Sequence, residues 1–354
     1  MSGPRLLSIG VATPERALTR DEAERMSAEL APVTVRRSTL AALHRRSGVD
    51  SRGVSILARN GDPPLYAPDP SGRGPSTGAR LARYTDAATD LAVRAARAAL
   101  ERAQVAASRV THLTTVSCTG FEAPGVDLRL IEALGLPRTV RRTIVGFMGC
   151  HGAINGLATA AAQTQADRDA IALVVCVELC SLHHHFSDRS DQLVANALFA
   201  DGAAAAVVGA SGSAAAPRLA GFASTVFPDE RAMGWRIGDH GFEMTLSPRT
   251  PELLRVAAPA WVDDALAARG LTRDSIGAWA IHPGGARIVR ALADGLGLDD
   301  GAIRVSLDVL REHGNMSSAT VLFVLRRLWM ADAPRPWAAL AFGPGLAAEA
   351  AFLT

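Results

Sequence analysis

The chain has 354 residues, long enough for two domains or one large duplicated one. Apolar residues make up 48% and charged residues 20%, which excludes wholesale disorder and predicts a large buried core. A formal net charge of +2 is too balanced to argue for a nucleic-acid or membrane-surface partner. The opening MSGPRLLSIGVATPE lacks a charged segment followed by a long apolar one, so no signal peptide is expected. No apolar run reaches the ~18–20 residues of a bilayer span.

In chain order, the first local feature is basic. VRRSTLAALHRRSGVDSRG, residues 35–53, gathers Arg36, Arg37, Arg45, Arg46 and Arg52. Residues 85–103 carry apolar residues at helical spacing, and VTHLTTVSC (110–118) reads as a buried strand. In RTIVGFMGCHGAINGLATAAAQ (142–163) a strand-like run stops at two glycines flanking a Met, and Cys150 then opens an Ala-rich helix over 153–166. Ile154, Leu157, Ala158 and Ala161 form its apolar stripe. AIALVVCVE (170–178) and AAAAVVGAS (203–211) are two more buried strands. The small-residue stretch GASGSAAAPRLAG (209–221) marks a boundary, dividing the chain into halves 1–213 and 214–354.

The second half repeats the plan. PAWVDDALAARG (259–270) is a helix closed by Gly270, and SIGAWAIHPGG (275–285) is a strand ending in a turn. GNMSSATVLFVLRRLWM (314–330) is a turn and a helix, and WAALAFGPG (337–345) is a strand ending in a glycine loop. LTTVSCTG parallels AWAIHPGG, and FMGCHGAINGLA parallels HGNMSSATVLFV. A duplicated α/β fold with its site on the pseudo-twofold axis would bring Cys150, His282 and Asn315 together.

Each of the three has a bland reading. Cys150 is placed where a helix start favours negative charge and lowers a thiol pKa, yet a free cysteine is among the most buried residue types. His282 ends a strand above a glycine turn, where open α/β sheets put chemistry, yet a lone histidine is more often a satisfied surface or core residue. Asn315 after Gly314 is by itself a helix cap. The four cysteines, Cys118, Cys150, Cys176 and Cys180, lack metal-ligand spacing, and reduced thiols in a cytoplasm are the simpler expectation. Three adjacent histidines in LHHHF (182–186) cannot all face one ion from a regular element, so no metal is expected.

GFMGCHGA, IHPGG, HGNMSSAT and AFGPGL together resemble the four signatures of the type III polyketide synthases, the chalcone synthase-like branch of the thiolase superfamily. SCTGFEAPGVD (117–127) and the segment 178–206 are similar to that family as well. The resemblance implies a duplicated five-layer αβαβα thiolase fold, a homodimer and catalysis without a cofactor. Cys150 would carry the acyl chain as a nucleophile held as thiolate by His282, and His282 with Asn315 would donate to the thioester carbonyl of malonyl-CoA. Phe199 corresponds to a gatekeeper aromatic, and Phe342, Gly343, Pro344 and Gly345 to the loop shaping the cyclisation chamber. Phe242, Met244 and Ser317 join the implied substrate contacts.

Cavity positions depart from the plant enzymes. Cys118, Cys180 and His183 stand where those carry threonines, Trp235 replaces a glycine, and Ala123 stands where a partner subunit's loop contributes a methionine. The resemblance to bacterial enzymes implies a fatty acyl-CoA starter and an alkylpyrone or alkylresorcinol product. Arg46 matches a basic residue at the CoA tunnel mouth, while two further basic positions fall at Thr39 and Ala42. Rival readings are a tetrahydroxynaphthalene-synthase-like or ketoacyl-synthase-III-like condensing enzyme, an acyl-CoA hydrolase using the same Cys-His-Asn set, and a non-enzymatic interaction protein.

Overall fold

The computed structural model describes residues 3–57, 65–67, 72–210, 212–213, 215–229 and 231–354. Ser211 and Ala214, inside the expected boundary stretch, lie outside the described residues. Strand β1 (Arg5–Ala12) leads to β2 (Ala17–Thr19), helices α1 (Arg20–Leu30) and α2 (Arg37–Ser47), and β3 (Ser51–Gly53), which pairs with β2. Helix α3 (Thr77–Ala103) precedes β4 (His112–Ser117), α4 (Val126–Leu134), β5 (Arg141–Gly146), α5 (Gly152–Ala166) and β6 (Ile171–Leu179). Helix α6 (Ser190–Leu198) and β7 (Asp201–Gly209) close the first half. The second half runs β8 (Leu219–Val226), β9 (Met233–Gly238), β10 (Gly241–Leu246), α7 (Thr250–Ala267), β11 (Ala278–Ile281) and α8 (Ala286–Leu296). It ends with α9 (Asp300–His313), α10 (Thr320–Met330), β12 (Trp337–Gly343) and β13 (Ala347–Leu353).

Two sheets carry the duplication. The first has the order β1-β7-β6-β4-β5 and the second β11-β12-β13-β8. Matching β1 with β8, β4 with β11, β6 with β12 and β7 with β13 preserves both order and sense. Thus β4 is parallel to β6 as β11 is to β12, and β7 is antiparallel to β1 and β6 as β13 is to β8 and β12. Strand β5 alone has no counterpart and forms an edge of the first sheet.

Three cores make five layers. Leu91, Ala95 and Ala99 of α3 pack on the outer face of the first sheet with Leu173, Val175 and Val207. Ile154 and Leu157 of α5 and Val321 and Val324 of α10 fill the space between the sheets. Leu254 and Val262 of α7 and Val289 and Leu292 of α8 cover the second sheet's outer face. This is the αβαβα thiolase arrangement. Strands buried on both sides read as continuous apolar runs, which is why β6 and β7 were legible from composition.

Helix α7 starts well before the expected residue 259. Thr250 and Pro251 open it, and Pro259 lies inside. Gly295 of α8 lies so close to the carbonyl oxygen of Arg255, four residues before that proline, that a Cβ there would be 2.3 Å from it. Gly270 does close the helix, with φ +67° and the Leu271 N–H donating to the Leu266 carbonyl at 3.0 Å.

Candidate active site

Cys150 sits in a short 3-10 turn, Gly149–His151, that runs into α5 between the two sheets. Gly149 has φ +74°, and a Cβ there would lie 2.3 Å from Cδ of Pro344. A glycine is therefore required twice, for conformation and for contact with the Phe342–Gly345 loop. A Cβ on Gly343 would likewise lie 2.6 Å from Cδ2 of His151. The nucleophile turn and the glycine loop are thus packed backbone to side chain.

His282 follows β11, the strand equivalent to β4, and its N–H donates to the Leu340 carbonyl at 2.7 Å. Its ring is buried, and both ring nitrogens lack a partner among the described residues. Asn315 is held through its backbone N–H, its backbone carbonyl and its side-chain oxygen. Its N–H donates to the Leu198 carbonyl at 3.0 Å, and its carbonyl accepts from the Ala200 N–H at 2.9 Å. Its side-chain Oδ1 accepts from the Ser317 N–H at 2.9 Å, which leaves the amide Nδ2 as the donor toward Cys150. Asn315 does not cap α10, whose N-cap is Ala319.

Cys150, His282 and Asn315 line one cavity with Phe199, Met244 and Phe342. A donor pair facing a thiol in a buried site can stabilise a developing oxyanion beside a nucleophile. Burial sets the protonation. It pushes the Cys150 thiol up to about 12, against the hydrogen bonds from Ser317 and Asn315 that favour thiolate, and Glu178 adds to the rise. Burial pushes His282 down to about 3, with His151 adding to the drop. Desolvation thus opposes the lowering expected of a thiol at a helix start.

The two halves of the chain match the family descriptions "Chalcone and stilbene synthases, N-terminal domain" over residues 4–212 and "C-terminal domain" over 220–354. The chain belongs to the chalcone and stilbene synthase family. It is 32% identical over 354 residues to the alpha-pyrone synthesis polyketide synthase-like Pks18 of Mycobacterium tuberculosis, covering 96% of this chain and 88% of that one. It is 36% identical over 321 residues to the 1,3,6,8-tetrahydroxynaphthalene synthase of Streptomyces peucetius subsp. caesius, covering 88% and 82%. The crystal structure of PKS-I from the brown alga Ectocarpus siliculosus matches with a TM-score of 0.95 at 31% identity, over 99% of this chain and 98% of that one. The chain is a type III polyketide synthase, an acyltransferase with the thiolase fold.

In this synthase, a second cavity wall stands beside the nucleophile. Cys118, Cys180, Trp235, Met244, Ser317 and Pro344 surround a cavity beside Cys150. The Cys118 Sγ lies 3.1 Å from the Ser317 Oγ, and Ser317 also hydrogen-bonds to Cys150. The Trp235 Nε1–H donates to the Cys118 carbonyl at 2.7 Å, fixing the indole in the chamber. His183 is fully committed: its Nε2–H donates to the Thr119 carbonyl at 2.6 Å, and its Nδ1 accepts from the Phe242 N–H at 3.1 Å. Its ring stacks on buried Phe242 at 4.0 Å, so it shapes the chamber wall but has no proton to offer a substrate. His184 and His185 turn to Asn196 and to the Phe242 carbonyl, so the histidine run does not converge.

Sequence reasoning missed Glu178. It is fully buried behind the cavity and accepts from Thr119 Oγ1 at 2.7 Å, Ser318 Oγ at 2.5 Å and the Cys118 N–H at 3.1 Å. Burial raises its pKa, and these donors oppose the rise. The signal was present: it is the lone acid at the end of an otherwise apolar strand.

The basic cluster divides. Arg46 is exposed and lines a groove of about 260 Å³ with Arg287, which lies just inside the start of α8. That groove reaches the Cys150 cavity, since Leu198, Leu246, Gly284 and Ile288 line both. Arg52, from the same basic run, is buried and points inward. Among the described residues, no helix is long and apolar enough to cross a membrane.

Proposed function

We propose that this synthase loads an acyl-CoA starter on Cys150 and extends it by decarboxylative condensation with malonyl-CoA. The supporting observation is the convergence of Cys150, His282 and Asn315 on one cavity, with Asn315 pinned so that its Nδ2 faces the thiol. In loading, neutral His282 takes the Cys150 proton as the sulfur attacks the thioester carbonyl, then gives it to the departing CoA thiolate. His282 regains its neutral N–H form, the form that donates to an oxyanion. In extension, loss of CO₂ leaves its bonding electrons in the thioester enolate, whose oxygen accepts from His282 and Asn315. The enolate carbon then attacks the Cys150 thioester and displaces the thiolate, lengthening the chain by two carbons. Arg46 and Arg287 at the mouth of the groove suit CoA phosphates.

The starter we assign is short, malonyl or a small acyl group. The sequence resemblance implies a fatty acyl starter; the narrowness of the three cavities that Phe199 lines supports the shorter one. A fatty acyl starter is the second reading, favoured by the apolar Met26, Val54 and Ile56 lining the cavity beyond Cys180 and Trp235. Product mass spectrometry with a panel of acyl-CoA starters and malonyl-CoA decides between them. Dominant long-chain products would overturn the short-starter assignment, and free acid without malonyl-CoA consumption would indicate a hydrolase.

We further propose a homodimer joined along β5. This edge strand exposes Ile144 at 64%, and Phe121, Phe147 and Met148 lie exposed beside it, a patch that a second copy would cover. Sedimentation checks this, and a monomer at micromolar concentration would rule it out.

A further inference from the structure

Helix α6 ends at the active site, and all four of its last carbonyls have a named partner. Ala195 accepts from the Phe199 N–H at 3.0 Å, and Leu198 accepts from the Asn315 N–H at 3.0 Å. The other two, Asn196 and Ala197, accept from the guanidinium of Arg52, with Nη1 reaching Asn196 at 2.8 Å. The same Nη1 also donates to the carbonyl of Phe199 at 3.2 Å. Terminal helix carbonyls left unpaired in a buried site would be costly, so Arg52 completes this helix end.

Three features tie Arg52 to Asn315. Phe199 and Asn315 form a parallel bridge, so the backbone that Arg52 grips is hydrogen-bonded to Asn315 on both sides. Gly314, with φ +72°, is so close that a Cβ there would lie 3.4 Å from Cβ of Arg52 and 2.8 Å from Cβ of Ala200. Arg52 is only 3% exposed, and every hydrogen bond of its guanidinium among the described residues goes to a main-chain carbonyl. It is a buried cation without a carboxylate, set against the negative end of a helix.

We propose that Arg52 is a positioning residue for the condensation, holding the end of α6 so that Asn315 and Phe199 face Cys150 in register. Its charge also offsets the negative helix end that would otherwise point at a nascent enolate. Lysine at this position keeps the charge but, as a single point donor, cannot span three carbonyls. The inference rests on reading Asn315 as an oxyanion donor and Cys150 as the acyl carrier.

The test separates two partial reactions in the full-length protein. Acylation of Cys150 by butyryl-CoA, followed by intact-mass spectrometry, reads the nucleophile and His282. Conversion of malonyl-CoA to acetyl-CoA, followed by chromatography, reads the oxyanion donors. In Arg52→Lys we expect acylation within about twofold of wild type, and decarboxylation slower by about tenfold in kcat with KM unchanged. Arg52→Gln, which loses the charge as well, should fall further in decarboxylation only. Equal losses in both reactions, or in neither, overturn the proposal, and so does failure of both variants to fold as judged by circular dichroism. A wild type that acylates but does not decarboxylate malonyl-CoA removes the reading of Asn315, and the role of Arg52 with it.

Discussion

The nucleophile turn and the asparagine turn are the same device built in two halves of one chain. Each has a glycine with positive φ, Gly149 at +74° and Gly314 at +72°, and each is followed by a short 3-10 turn and a helix between the sheets. They differ in how the working group is held. Asn315 is bonded through its N–H, its carbonyl and its side-chain oxygen. The Cys150 sulfur is met by Ser317 and Asn315 from the other half and by its own backbone N–H. A donor that must meet an oxyanion is most effective when fixed before the reaction, whereas a sulfur that attacks, carries and releases a chain must keep rotamer freedom.

Removing the reacting atom should break this comparison most completely. Cys150→Ala is expected to abolish acyl loading and product formation with the fold retained, measured by intact mass and circular dichroism. Polyketide synthesis by that protein would overturn the assignment. Removing a donor should cost less. Asn315→Ala and His282→Gln are expected to lose roughly 10²–10³ in malonyl-CoA decarboxylation, the scale of one oxyanion-hole donor. Asn315→Ala should still accept a starter, and wild-type decarboxylation by it would reduce Asn315 to a turn residue.

The glycines sharpen the comparison. Alanine at Gly149 would adopt a disfavoured φ and press on Pro344, so Gly149→Ala should lose more than about 1 kcal/mol of stability in a denaturant titration. Gly314→Ala, which meets Ala200 at 2.8 Å, should behave alike. Equal stability to wild type would mean the turns relax freely. The mildest expected effect is on pH dependence. Loading needs unprotonated His282, and burial lowers its pKa to about 3. Loading should therefore stay level as pH falls from about 8 to about 5, rather than dropping below the ordinary histidine pKa. An acid limb near pH 6.5 would show that His282 is not so deeply desolvated.

Local signals carried much of this. Cys150, His282 and Asn315 were legible because each stands in a glycine turn at a strand end or helix start, and the repeated order of those turns implied a shared axis. The start of α3 at Thr77 is also written locally, in the Ser76 hydroxyl that accepts from the Ala79 N–H, ahead of the apolar spacing over residues 85–103. Other features were not local. Cys118 meets Ser317 across 199 residues, and Glu178 collects donors from Thr119 and Ser318, so neither contact leaves a trace in any short window. The upward push on the Cys150 thiol is not local either, because desolvation depends on everything packed around the sulfur.

Arg46 and Arg52 draw the line most clearly. They stand six residues apart in one basic run, and composition makes them equivalent. The sequence by itself determined that a helix ends between them, at Gly48 with φ +77°, where a glycine is favoured. Only the tertiary structure decided that the chain leaving that glycine enters the protein. There Arg52 meets the unpaired carbonyls at the end of α6, while Arg46, still on the helix, stays in water. A charge is buried only where enough acceptors are gathered to offset its desolvation, and those acceptors come from a helix more than a hundred residues away.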